Sequence, residues 1–179
     1  MSDSIIVYGS KYGSTRRYAK ELGKMTDWDV VDYCHVKHLN SYRKIVYLGA
    51  LFAGGVLGLK KTLAKVTDFE GKRIAVITVG ITDPRDKANV ECIREGIREQ
   101  VAEELFDRLS LFHLRGGIDR SKLNLKHRIM MYMVHRQIKK LPEQEMTPEN
   151  RFFMATYNKK VDFVDFNSLV PVRDALQLW

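Results

Sequence analysis

The sequence is 179 residues long, 45% of them apolar, with a formal net charge of +8. That length supports one domain with a sizeable core, and the apolar share is ordinary for a soluble globular protein. The longest uncharged run, residues 45–59, is too short and too rich in glycine to cross a bilayer, and no basic stretch with an apolar core opens the chain, so neither a spanning helix nor a secretory signal is expected.

Cys34 and Cys92 lie far apart, without CxxC or metal-ligand spacing. They are expected as reduced thiols of a cytoplasmic protein, and no metal site is expected. Net charge alone is poor evidence for nucleic acid, and no reader motif is present, so no nucleic-acid partner is expected.

Residues 4–8 form an apolar run rich in β-branched side chains, as a strand buried on both faces should be. Residues 14–25 follow with helical spacing, Tyr18, Ala19 and Leu22 facing inward and Arg16, Arg17, Lys20 and Lys24 outward. Residues 28–34 alternate like a half-buried strand. Residues 44–50 give a third strand that feeds a glycine-bearing loop, and residues 57–66 a short helix. Residues 73–80 make the fourth strand, with Pro84 breaking the chain after it. Residues 87–105 read as one helix with Val90, Ile93, Ile97, Val101 and Leu105 on one face, and residues 109–116 as the fifth strand. Strands alternating with helices imply a parallel sheet covered on both faces.

The alternation then stops. Residues 122–141 read as one helix ended by Pro142. Thr147, followed by Pro148, starts another, and Asp165 or Asn167 caps a last helix. The expected organisation is a single domain over residues 1–179 with a helical insertion at about 118–160.

The first strand stops at a cluster of Gly, Ser and Thr, and the helix begins at once. The first four N–H groups of a helix have no partner within it, and the helix dipole adds positive charge there. An anion, usually phosphate, is the natural occupant. Ser10, Ser14 and Thr15 add hydroxyls, Gly13 lets the backbone turn closely, and Lys11, Arg16 and Arg17 supply a favourable field. A plain helix cap needs one such residue, not four. Neither a Walker loop nor a G-x-G-x-x-G fingerprint fits the stretch.

"YGSKYGSTRRYA", residues 8–19, resembles the phosphate loop of the flavodoxin family. The resemblance implies an α/β, flavodoxin-like, doubly wound five-stranded parallel sheet of order 2-1-3-4-5, with extra helices between the fifth strand and the last helix, and FMN at the carboxyl ends of strands one, three and four. It implies that Ser10, Lys11, Tyr12, Gly13, Ser14 and Thr15 hold the FMN phosphate. It further implies that Ala50, Leu51, Phe52, Ala53 and Gly54 run past the isoalloxazine ring, and that Val79, Gly80, Ile81 and Thr82 belong to a third flavin loop. Phe52, the one aromatic of the second loop, is alternatively a core or lid residue. The flavin carries the redox chemistry, and no side chain is assigned as a general acid or base.

Three features set the chain apart from acidic electron carriers of that family. Its sequence pI is about 9.5, its third loop, residues 79–86, has no aromatic, and it has extra helices after Gly117. Those helices, with a basic, Met-rich segment over residues 119–140, resemble in layout the flavodoxin-like protoporphyrinogen dehydrogenases, which pass electrons to quinone. That resemblance implies an FMN oxidoreductase with a small-molecule substrate or a quinone beside residues 119–140. The alternative is a flavodoxin-type electron carrier with a redox protein partner. Residues 122–140 hold six Lys or Arg and no acid, and Ile129, Met130, Met133, Val134 and Ile138 are expected as one apolar stripe. The stripe packs on its own domain, or meets substrate, a partner or the inner face of the membrane. His113, His127 and His135 are expected to be solvated or partner-facing.

Overall fold

The computed structural model describes residues 3–52, 55–119, 123–157 and 159–179. Five apolar runs become parallel strands: β1 (Ser4–Gly9), β2 (Asp29–Asp32), β3 (Lys44–Phe52), β5 (Arg73–Gly80) and β6 (Leu109–Arg115), in spatial order β2-β1-β3-β5-β6. Ile5 lies opposite Ile45, and Ile45 opposite Ile74, so apolar side chains line up across the sheet. Successive strand residues face opposite sides, and the core is split accordingly. Ile5, Val7, Ile45, Tyr47, Ile74 and Val76 face α2 (Leu59–Leu63), α3 (Lys87–Arg98) and α4 (Glu103–Phe106). Ile6, Val46, Leu48, Ala75 and Ile77 face α1 (Ser14–Thr26) and α7 (Val170–Gln177). This is the α/β architecture with helices on both faces, in the order anticipated from the sequence.

Two local departures have identifiable causes. The third strand runs beyond residue 50 to Phe52, and its end pairs antiparallel with β4 (Gly55–Val56). Gly49 permits this, because a Cβ there would collide with Val56 Cγ1. The helix expected over residues 87–105 is two helices, α3 and α4. In the break, Gln100 Oε1 accepts from the Val56 N–H at 2.8 Å and Gln100 Nε2 donates to the Val56 carbonyl at 3.4 Å. The interruption thus satisfies the free backbone of a short edge strand, which would otherwise lack partners. Asp165 does cap the final helical segment, its Oδ1 accepting from the Asn167 N–H at 2.9 Å, ahead of a 3-10 turn at Phe166–Leu169 that leads into α7.

The chain divides into two compact units, Met1–Gly116 with Val164–Trp179, and Gly117–Phe163. The second contains β7 (Gly117–Ile118), α5 (Leu125–Ile138), α6 (Pro148–Thr156) and β8 (Val161–Asp162), with β7 and β8 paired antiparallel. Asn124 caps α5 by accepting from the His127 N–H at 2.9 Å, and Thr147 caps α6 by accepting from the Asn150 N–H at 3.2 Å. His135 stacks on Tyr157 with ring centroids 3.9 Å apart.

The stripe expected on α5 is revised. Met130, Met131, Val134 and His135 are half-buried and Ile138 is buried, whereas Ile129 and Met133 are exposed. The helix is apolar on both sides, and hydropathy alone assigned residues from both to one stripe. Of the histidines expected to be solvated or partner-facing, His113, His127 and His135 are each half-buried, and His113 on β6 has its Nδ1 2.8 Å from Thr78 Oγ1.

Candidate functional site

Parallel strands deliver their following loops to one edge of the sheet, and here three of those loops meet. Gly13 carries φ 102° and ψ −22°, a backbone that an L side chain rarely adopts, and it sits at the N-cap of α1. Its N–H donates to Ser10 Oγ at 3.1 Å, which closes the turn. The Arg17 N–H donates to the Gly13 carbonyl at 3.0 Å, the first bond of the helix. A glycine cap has no side-chain oxygen to offer the first-turn N–H groups, and no acidic residue stands in that turn. Thr15 is 1% exposed, and among the described residues its Oγ1 has no hydrogen-bond partner. A hydroxyl buried without a partner costs about 1–3 kcal/mol.

The loops are in mutual contact. Lys11 Nζ lies 5.6 Å from the centroid of the Phe52 ring, joining the first loop to the second. A Cβ on Gly80 would meet Leu51 Cδ1 at 2.6 Å, so the second loop lies against the third. The Gly116 N–H donates to the Gly80 carbonyl at 2.6 Å. A Cβ on Gly116 would meet Val79 Cγ1 at 2.8 Å and Ser14 Cβ at 3.3 Å, which returns the ring to α1.

Of the residues singled out from the sequence, Ser10, Lys11, Tyr12, Gly13, Ser14 and Thr15 form the first loop and helix start. Ala50, Leu51 and Phe52 end β3 and are half-buried. Val79 is buried, and Gly80, Ile81 and Thr82 are half-buried at the end of β5. Ala53 and Gly54 lie outside the described residues. Burial pushes the Tyr12 hydroxyl above its ordinary pKa.

Several residues at the site carried no clear sequence signal. Thr82 Oγ1 donates to Asn89 Oδ1 at 2.9 Å, and Asn89 Nδ2 donates to the Asp83 carbonyl at 3.2 Å, so α3 fixes the third loop. Arg115 Nε donates to the Ile81 carbonyl at 3.3 Å from the far side. The Arg85 guanidinium, hydrogen-bonded to Asp83, holds that carboxyl well below the usual carboxylate range, with a smaller contribution from Arg115. Tyr18 Oη donates to the Arg115 carbonyl at 2.7 Å and accepts from the Asp165 N–H at 2.9 Å, tying the end of β6 to α1 and to the start of the last helical segment. A lone Arg at the carboxyl end of the fifth strand was the one hint available for Arg115. Asn89 reads as a surface helix residue until the loop is seen folded on it.

Beside the hairpin, Leu51, Phe52, Val56, Cys92, Ile93 and Gly96 line a mostly apolar cleft of about 250 Å³.

A doubly wound sheet with a glycine-capped, acid-free helix start and three loops in contact at its carboxyl edge is the architecture of a binding protein for a phosphate-bearing ligand. The chain belongs to the Flavodoxin domain family, whose profile matches residues 5–145. Among solved structures, it is similar to a flavodoxin from the domain Archaea, with 18% identity, a TM-score of 0.44, and coverage of 63% of this chain and 82% of that one. It is also similar to the Fusobacterium nucleatum flavodoxin bound to flavin mononucleotide, with 14% identity, a TM-score of 0.44, and coverage of 68% and 73%. No curated protein matched the sequence. Among the described residues, no helix is long and apolar enough to cross a membrane.

Proposed function

We propose that this chain binds FMN at the loop ring and uses it as an oxidoreductase. The observation that carries the proposal is the glycine-capped start of α1 beside the buried Thr15 hydroxyl, which has no hydrogen-bond partner among the described residues, at the point where all three loops meet. These groups fit a phosphate monoester: first-turn N–H groups and hydroxyls donate, a phosphate oxygen supplies the missing acceptor, and Lys11, Arg16 and Arg17 favour its charge. The cradle is made by Ser10, Lys11, Tyr12, Gly13, Ser14 and Thr15. Ala50, Leu51 and Phe52, with Val79, Gly80, Ile81 and Thr82, offer the surface for the ring. Bound FMN supplies reversible electron and hydride chemistry; the chain supplies binding, orientation and field.

The specific reaction proposed is removal of two electrons and two protons at a time from a protoporphyrinogen, with the pair reducing a quinone to its quinol. Two features support it over a small acidic carrier. The third loop brings no aromatic to cover the ring, and a pI of about 9.5 suits a substrate bearing carboxylates.

The test is the absorption spectrum of the purified protein, mass analysis of any released chromophore, and anaerobic turnover of protoporphyrinogen with a menaquinone analogue followed by porphyrin fluorescence. Yellow protein that releases FMN and gives quinone-dependent porphyrin is the expected result. FMN without turnover, with either quinone or oxygen as acceptor, would remove the substrate and leave a flavodoxin-type electron carrier. A colourless protein that fails to take up added FMN would overturn the whole reading.

A further inference from the structure

The unit spanning Gly117–Phe163 carries ten Lys or Arg against five Asp or Glu, which is +5 of the chain's formal +8. The excess is concentrated on α5, and no acid occurs anywhere between Arg120 and Pro142. Among the described residues, Lys126, Arg128, Arg136, Lys139 and Lys140 form no ion pair. No described acidic side chain of this unit therefore neutralises their charges by direct contact.

One side of α5 packs, through Met130, Met131, Val134 and Ile138. The opposite side holds Leu125, Ile129, Tyr132 and Met133, which are 70%, 51%, 56% and 54% exposed. At 100° per residue these four fall within about a third of the helix circumference. Arg136 continues the same line toward the carboxyl end, and Lys126 and Arg128 flank it. A solvent-facing helix side with four large apolar residues and a cationic rim is unusual for a chain that meets only water.

The chemistry of that face selects its occupant. A second copy would bring cations against cations. A nucleic acid would meet the charge and leave leucine, isoleucine and methionine without apolar partners. An anionic bilayer meets both requirements: head groups pair with Lys and Arg, whose stems reach outward, while the apolar side chains enter the head-group and acyl boundary. Tyr132 suits that boundary with an apolar ring and a polar tip. We propose that the Leu125, Ile129, Tyr132 and Met133 face of α5 is a peripheral docking surface for anionic lipid. The proposal does not rest on flavin binding, and its test is independent of it.

The experiment is flotation of the full chain with vesicles of phosphatidylcholine alone and of phosphatidylcholine mixed with phosphatidylglycerol. Wild type should float with the anionic vesicles and stay behind with the zwitterionic ones, and high salt should weaken binding. Lys126→Glu with Arg136→Glu should reduce binding by about a hundredfold or more, since two attractions become two repulsions. Ile129→Ser with Met133→Ser should reduce it at least ~10-fold at unchanged charge. Both substituted pairs are exposed, and far-UV circular dichroism checks that the variants fold. Tyr132→Trp reports insertion as the difference from wild type, which already holds Trp28 and Trp179: the added indole emission should shift to the blue on anionic vesicles and be quenched by brominated acyl chains. Wild type left in solution with anionic vesicles at low salt would overturn the proposal. So would binding indifferent to Ile129→Ser with Met133→Ser, or an emission from the Tyr132→Trp variant that lipid leaves unmoved, because both describe charge attraction without an apolar docking face. Binding to soluble polyglutamate but not to vesicles would assign the surface to an acidic protein instead.

Discussion

Replacing Gly13 by alanine separates the backbone geometry of the loop proposed to hold phosphate from its sterics. A Cβ at Gly13 would meet nothing within 4 Å, so the substitution creates no collision with the protein. Its cost is conformational: at φ 102° an L residue is strained by about 1–2 kcal/mol. For a chain of this size that lowers Tm by roughly 2–8 °C. A loop that relaxes toward negative φ breaks the Gly13 N–H to Ser10 Oγ bond and turns the first N–H groups of α1 away from a common point. Charge-assisted hydrogen bonds contribute about 1.5–3 kcal/mol each, so losing two weakens FMN binding by roughly 10²- to 10⁴-fold. Gly71 provides a matched control. It has φ 64°, a Cβ there also meets nothing within 4 Å, and it precedes β5 at the other end of the sheet. Gly71→Ala should cost similar stability and leave FMN affinity unchanged. The assay is quenching of FMN fluorescence on titration with apoprotein, alongside thermal unfolding of both variants. If Gly13→Ala bound FMN within threefold of wild type, the phosphate would not sit at this helix start. If Gly71→Ala lost FMN equally, the effect would be one of global stability.

Tyr18→Phe should destabilise the protein by about 1–3 kcal/mol, because the Arg115 carbonyl and the Asp165 N–H both lose their partner; a urea midpoint equal to wild type would show that neither bond matters. Gly49→Ala should cost about 1–3 kcal/mol by forcing Val56 off β3, and an unchanged urea midpoint would show that the hairpin yields without cost. His113 titrates below the ordinary histidine value of 6.5, chiefly through burial and secondarily through Arg94. The unfolded chain therefore takes up a proton first as pH falls, so this stabilisation is intact above about pH 6.5, declines below it, and levels off once the folded state is protonated. His113→Gln should flatten that part of the stability–pH curve, and an unchanged slope between pH 5 and 7 would refute the assignment.

The order of strands and helices was legible because burial on both faces writes continuous apolar runs such as residues 73–80, and those runs need no tertiary information. The turn at residues 10–15 was legible for a related reason: a turn feeding a helix is specified within a few residues, by local backbone geometry. What the sequence left open depended on who packs against whom. Two-residue strands such as β4 and β7 are too short to show alternation, and Gln100 becomes a backbone partner only once Val56 is brought beside it. Asn89 and Arg115 enter the site through bonds to Asp83 and Ile81 across the fold. On α5, composition alone could not say which apolar side faced inward, because both sides are apolar. Packing buried Ile138 and left Ile129 and Met133 in solvent, since a helix has one inner face and only tertiary contact chooses it.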